Sequence, residues 1–250
     1  FSYTLNDNVL ANMVDTLLEA AEIYRSADTP SLERLSEDCD AAARMAGEFL
    51  ILAQMPEPQP AWAQQYDMEM RPRWARRFEP PAISGLESQG AMRTLLKLHE
   101  WSGDARFIEP VGRALEYLKR SALPDGRLAR FYELKTNRPL YFTTDYVLTY
   151  DDTDLPTHYG FKVGNGLGAI EADYRKRLDG GSGSGGGGAR LRPVADAEVH
   201  SIIEAQDDRG RWVETGRLRY HTDEPAQRVI RSRTFVHNVE SLSRYLRQVK

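Results

Sequence analysis

The sequence holds a single cysteine in 250 residues, Cys39. That excludes an intrachain disulfide and any cysteine-built metal cluster. No apolar run approaches the ~20 residues that a helix needs to span a bilayer. A basic excess is also lacking. Lys and Arg number 33 against 37 Asp and Glu, a formal charge of −4, whereas a dedicated nucleic-acid binder carries a positive balance. The histidines are His99, His158, His200, His221 and His237, and none stands in HExxH or another metal-ligand spacing. GxSxG and the P-loop are absent. The stretch Gly164-Asn165-Gly166-Leu167-Gly168 is an incomplete glycine fingerprint and reads as the turn before a helix. No basic and apolar leader stands at Phe1, and the abrupt start suggests a trimmed piece of a longer chain.

What is present is globular. Hydrophobic residues make up 41% and charged residues 28%, enough to bury a core in one large domain or two small ones. Leu10, Met13, Val14, Leu17, Leu18 and Ala21 recur at helical spacing and predict an amphipathic helix over 9–24, with Asp7 or Asn8 as its cap. A second pattern runs from Leu32 through Leu50 to Ala53 and stops at Pro56, Pro58 and Pro60. Cys39 sits in that alanine-rich pattern, which implies a buried, inert thiol. Further helices are marked by Met92 to His99, Ile108 to Leu118 and Val236 to Leu246. His99 falls on an apolar face and reads as structural. The aromatic and β-branched run 140–150 predicts a strand or short hairpin. Residues 180–188, GGSGSGGGG, are a flexible linker by composition, either natural low complexity or an engineered splice. The chain behind it regains a globular composition, with Ile202, Ile203, Trp212, Phe235 and Leu242 as core candidates, and is expected to pack on the same domain.

A weak repeat runs through Leu50…Gln54…Trp62, Leu118…Ser121…Gly126…Arg130 and Ile203…Gln206…Gly210…Trp212. Helical hairpins that each deliver a loop to one end predict an all-α fold, an α/α toroid or solenoid with long loops and a minor β-hairpin.

Polar chemistry is concentrated in two stretches. Residues 62–79 hold Trp62, Tyr66, Asp67, Glu69, Arg71, Arg73, Trp74, Arg76, Arg77 and Glu79. Residues 130–139 hold Arg130, Tyr132, Glu133 and Arg138. Guanidinium forks suit carboxylates, and neighbouring aromatic faces suit sugar rings. Together they imply an acidic carbohydrate or another anionic ligand. The alternative is that these arginines brace loops against Glu69, Glu79 and Glu133. His158 stands in a loop and is open to either function or local hydrogen bonding. A pair of carboxylates, Asp67 with Glu79 or Asp145, leaves a glycoside hydrolase as a further reading.

These stretches resemble the pectate lyases of polysaccharide lyase family ten. The opening 4–10 is similar to that family's T-[FL]-N-D-[DN]-A-M. Trp62, Gln65-Tyr66-Asp67 and Pro72 resemble W-x-x-Q-Y-D…P. Ala75-Arg76-Arg77-Phe78-Glu79 with Ser84 and Glu87-Ser88 resembles A-R-x-[YF]-E…S…E-S. Ala129 to Glu133 and Thr136 to Pro139 resemble A-R-F-Y-E…T-N-R-P. The likeness spans about residues 1–160.

The resemblance implies an α/α toroid that cleaves polygalacturonate by calcium-assisted β-elimination. Arg76 would be the base at C5, Asp7 a calcium ligand, and Arg130 a carboxylate binder. Trp62, Tyr66, Asp67, Arg73, Tyr132, Arg138 and His158 would line the substrate groove. The C5 proton lies α to a carboxylate, so a cation at that carboxylate stabilises the developing charge. Burial and the positive charge of Arg73, Arg77 and calcium would push Arg76 towards its neutral form. A secreted or periplasmic monomer that binds neither nucleic acid nor membrane is expected. Two departures stand out. Thr143-Thr144-Asp145-Tyr146 replaces the family's G-R-D-G, and His158-Tyr159 falls where another arginine is expected. The family's preceding helical pair, with an aspartate and a G-G-W-P-Q turn, would lie upstream of Phe1. A non-catalytic domain that binds acidic glycans on the same scaffold is the second reading.

Overall fold

The computed structural model describes residues 2–26, 29–180, 193–217 and 225–248. The glycine linker beyond Gly180 and His221 lie outside these residues. The chain divides into two compact units, Phe1–Gly185 and Gly186–Lys250.

The first unit opens with a two-residue strand, β1 (Tyr3–Thr4), followed by α1 (Val9–Arg25) and α2 (Pro30–Ala53). The two helices pack along each other as a hairpin: Val14 and Leu18 share a core cluster with Ala43, Ala46 and Leu50, and the carbonyl of buried Ala21 accepts from Ser36 Oγ at 2.7 Å. Neither Asp7 nor Asn8 caps α1 through its side chain. Both instead hold left-handed backbones, at φ 55° and 56°. That conformation is uncommon but tolerated by Asp and Asn. Cys39 is partly exposed, not buried as expected.

Next come β2 (Gln65–Tyr66), β3 (Ala82–Ser84), α3 (Glu87–Ser102) and α4 (Glu109–Arg120). Helix α3 is central, in contact with α1, α2 and α4, and Met92, Leu95 and Leu98 on it are fully buried. His99 ends it structurally, its Nδ1 3.0 Å from the Asp104 carbonyl. Then follow β4 (Leu128–Ala129), β5 (Phe131–Glu133), β6 (Pro139–Phe142), β7 (Leu148–Thr149), β8 (Lys162–Val163) and α5 (Leu167–Leu178). Residues 140–150 do form a hairpin, β6 against β7. It belongs to a four-stranded antiparallel sheet in the order β3-β5-β6-β7. The expected minor hairpin is thus one half of a sheet, because strands of two to four residues leave no readable period.

The second unit carries α6 (Asp196–Glu204), an antiparallel pair β9 (Glu214–Gly216) and β10 (Gln227–Val229), and α7 (Ser232–Gln248). Ile202 and Trp212 are buried there, whereas Ile203 and Phe235 are about half exposed.

The weak repeat has an atomic counterpart. After the helix, Met55 N donates to Ala61 O, Leu123 N to Arg127 O and Asp207 N to Arg211 O, at 2.9, 2.8 and 2.9 Å. Trp62 Nε1 and Trp212 Nε1 each donate back to the preceding helix, to Leu50 O and Ile202 O, both at 2.7 Å. Gly126 and Gly210 take the turn position that demands a positive φ, at 82° and 71°.

Candidate active site

The two polar stretches converge where β1–β2, the loop before β3 and the loop before β8 meet. The connectors after α2 and α4 do this in the same way. Ala63 N donates to the Tyr66 hydroxyl at 2.6 Å, and Ala129 N to the Tyr132 hydroxyl at 2.8 Å. Each Ala-x-x-Tyr closure turns the residue after the alanine, Gln64 and Arg130, towards Tyr159. Arg130 is fixed on both backbone sides, its N donating to Phe161 O at 2.7 Å and its O accepting from Gly85 N at 3.0 Å. A Cβ on Gly85 would collide with the Ala129 carbonyl, so glycine permits this close approach.

Glu79 is the hub. Its side chain is 2% exposed. Oε1 accepts from Arg76 Nε at 2.8 Å, from Gln64 Nε2 at 3.2 Å and from the Tyr159 hydroxyl at 3.2 Å, with Arg76 Nη2 at 2.5 Å. Oε2 accepts from the Arg76 backbone N at 3.2 Å. Burial pushes the Glu79 carboxyl up, but the Arg76 hydrogen bonds and charge, helped by Tyr159, outweigh it and hold the group below its usual range. The same pair raises Arg76, whose side chain is 55% exposed. The expected push towards a neutral Arg76 is therefore reversed in this geometry, because a carboxylate, not another cation, is its nearest charge.

Arg130 stacks on Tyr159, 4.4 Å from the ring centre, and pairs with buried Glu87 at 3.2 Å. Glu87 also accepts from Ser84 Oγ. Burial raises the Glu87 carboxyl, against the pull of Arg130. Two buried polar atoms here have no hydrogen-bond partner, Arg130 Nε and Gln64 Oε1. An unpaired buried donor is costly unless water or a ligand meets it; the Arg130 guanidinium pairs with Glu87 through Nη2, and its five-donor fork has N–H groups beyond that one bond. Burial pushes the Tyr159 hydroxyl up to about 12, which keeps it a hydrogen-bond donor through mildly alkaline pH.

Other predicted residues divide. Trp62, Tyr66 and Tyr132 are fully buried and cannot touch a polysaccharide. They hold the floor of the site, with Tyr132 also donating to Ser121 O at 2.8 Å. Asp67 accepts from Glu69 N, Arg71 N and Arg71 Nε at 2.9–3.0 Å, which is loop bracing. The Arg71 N–H groups hold its carboxyl below the usual range. Arg73 is exposed, and its Nε donates to Trp74 O at 3.3 Å. His158 is exposed beside Phe78 and Tyr146, its Nε2 3.4 Å from the Tyr146 hydroxyl. Arg138 lies away from the hub, over the Tyr150 ring at 3.4 Å. Composition alone could not single out Gln64 and Tyr159. The first is the counterpart of Arg130 only through the Ala-x-x-Tyr closures, whereas the repeat in the sequence set Trp62 there, and the second occupies one of the positions where the family pattern has arginine.

Asp7 is exposed and close enough to Arg76 to strengthen its hold on its proton. Calcium takes 6–8 oxygen ligands. Among the described residues no three His, Cys, Asp or Glu side chains form a group able to hold a metal, and Glu79 is committed to Arg76. The residues present do not by themselves fit a calcium ion. The two-carboxylate hydrolase reading fits poorly too. A general acid needs a raised carboxyl, whereas Asp67 and Glu79 are both held low.

A comparison with curated proteins finds no match. A family 10 polysaccharide lyase from Cellvibrio cellulosa superposes with a TM-score of 0.58 at 22% identity, over 70% of this chain and 62% of that one. A mutant of that lyase, in complex with trigalaturonic acid, matches equally. This chain thus spans less than two thirds of the length of those structures. No described helix is long and apolar enough to cross a membrane. The pectic acid lyase family model matches residues 2–168, two thirds of the sequence, and the chain belongs to the pectic acid lyase family.

Proposed function

We propose that this protein is a polysaccharide lyase acting on polygalacturonate or a related uronate polymer by β-elimination. The observation that carries the reading is the convergence of Arg76 and Arg130 on one aromatic ring, Tyr159. Arg130, stacked on Tyr159 and paired with Glu87 through Nη2, receives a substrate carboxylate on its remaining N–H donors. That contact stabilises the charge that builds on the carboxylate as the C5 proton leaves. Arg76 is the base. It becomes able to take a proton only at alkaline pH, when the guanidinium paired with Glu79 is lost. Asp7 is the candidate oxygen ligand that the family likeness offers, and no step of the elimination is assigned to calcium. The alternation of helical hairpins and site-bearing connectors is read as an arc of an α/α toroid. Family kinship favours a secreted or periplasmic protein.

The Arg76–Glu79 pair also gives ground to a second reading, a binding domain for acidic glycans without turnover, since a paired guanidinium is a good anion receptor and a poor base. Product analysis after incubation with trigalacturonate at alkaline pH separates the two. The lyase reading expects fragments whose summed mass equals the substrate, one of them unsaturated. A gain of one water would mark a hydrolase, and intact trigalacturonate bound to the protein would mark the binding domain. A chelator added to the same reaction tests the calcium requirement.

A further inference from the structure

A second cavity lies on the other side of β6. Successive residues of a strand face opposite ways. Phe142 points to the aromatic layer with Phe161 and Trp74 beneath the Arg76 loop, so Tyr141 and Pro139 point away from it. There they line an open cavity of about 620 Å³, together with Tyr150, Asp125, Asp152 and Lys162. This volume lies within the usual range of small-ligand sites, roughly 300–1,000 Å³.

Tyr141 is 3% exposed, and among the described residues its hydroxyl has no hydrogen-bond partner. Asp152, Asp125 and Arg127 lie near that hydroxyl and, after burial itself, set its acidity. Tyr150 keeps 41% of its surface exposed. Arg138 covers one face of its ring, and its hydroxyl is tied to Glu133 at 2.7 Å. Asp125 is tied to Arg127 at 2.8 Å, and Asp152 pairs with Lys162. The carboxylates are thus held in place by cations, with lone pairs left to accept further hydrogen bonds.

The ligand chemistry follows from what this lining refuses. Asp125, Asp151 and Asp152 line the cavity against Lys162, and the guanidiniums at its edge, Arg127 and Arg138, are already engaged by Asp125 and the Tyr150 ring, so no free positive charge selects a uronate or phosphate. No group of acidic side chains among the described residues is able to hold a metal. What remains suited is a neutral, hydroxyl-rich ring that stacks its apolar face on tyrosine and donates hydroxyls to fixed carboxylates. We propose that the cavity between the β6–β7 hairpin and the Asp125 turn is a binding site for a neutral sugar residue, distinct from the Arg76 site. The choice of a sugar rests on the polysaccharide reading above. The geometric case for a separate site does not.

The test is binding of a neutral galactose oligosaccharide to the full chain by isothermal titration, at concentrations up to tens of millimolar, where weak sugar sites saturate. Trigalacturonate is the competitor. Tyr150→Ala removes the exposed ring, and Tyr141→Phe removes only the hydroxyl of a cavity-lining ring. Saturable binding that trigalacturonate leaves intact, weakened about tenfold by Tyr150→Ala and about fivefold by Tyr141→Phe, is expected. No saturation, displacement by trigalacturonate, or binding unchanged in both variants would overturn the proposal. Because no turnover is measured, a failure here leaves the lyase reading untouched, and a failed lyase assay leaves this site standing.

Discussion

At the residue scale, one buried carboxylate governs the candidate base. Glu79 gathers Arg76, Gln64 and Tyr159 on a single oxygen. Removing its charge while keeping an acceptor, as in Glu79→Gln, frees the guanidinium to deprotonate at lower pH. The alkaline limb of the elimination rate is expected to move down by about one pH unit, the order of a single close charge pair. Its plateau should fall, since a weaker base attacks more slowly. A rate-pH profile lowered in parallel at every pH would reduce Glu79 to scaffolding. The stability consequence has its own sign. A depressed carboxyl stabilises the fold above its unfolded pKa, and that contribution is lost as pH falls through the folded value. Wild type should therefore lose melting temperature below about pH 4.3 more steeply than Glu79→Gln. Much of this site was legible in the order of residues, because Arg76, Glu79 and Arg130 stand in dense polar stretches. The sign of their interaction was left open in the sequence, between repulsion among neighbouring arginines and pairing with Glu79. The three-residue turn from Arg76 to Glu79 folds the carboxylate back onto the guanidinium, which is the pairing.

At the scale of elements, the connectors explain why aromatic residues that look like sugar platforms are structural. Trp62 and Tyr132 close the turns after α2 and α4 by donating back to those helices' ends. Trp62→Ala should cost about 3–5 kcal/mol in a denaturant titration, as for other large buried rings. Tyr132→Phe should cost about 1–3 kcal/mol, because Ala129 N and Ser121 O lose their partner. Gly85→Ala would drive a methyl into the Ala129 carbonyl that shares this connection. A loss of about 1–3 kcal/mol is expected, measured by thermal melting, and an unchanged melting temperature would show that the approach at Gly85 is looser than described. The long helices were readable because their apolar stripes repeat over many turns. The sheet was not, since β3 and β5 have three residues each and acquire meaning only when paired.

At the scale of the whole molecule, the described residues of the first unit form two hydrophobic clusters, one under α1 to α5 and one under the sheet. A chain ending at Gly185 is therefore expected to keep a cooperative thermal transition. Its loss would show that the second unit supplies core that the first cannot do without. The connector after α6 shares its closing hydrogen bond with those after α2 and α4, and its tryptophan bond with the first.

The central claim is that Arg76 removes a proton from a uronate. Its most direct measurement is the growth of ultraviolet absorbance with polygalacturonate at alkaline pH, followed for wild type and Arg76→Ala. The account predicts steady growth for wild type, from the double bond that elimination creates, and a loss of at least about a hundredfold in the variant. Equal growth in both would contradict Arg76 as the base, and a flat trace for the folded wild type would contradict the lyase itself.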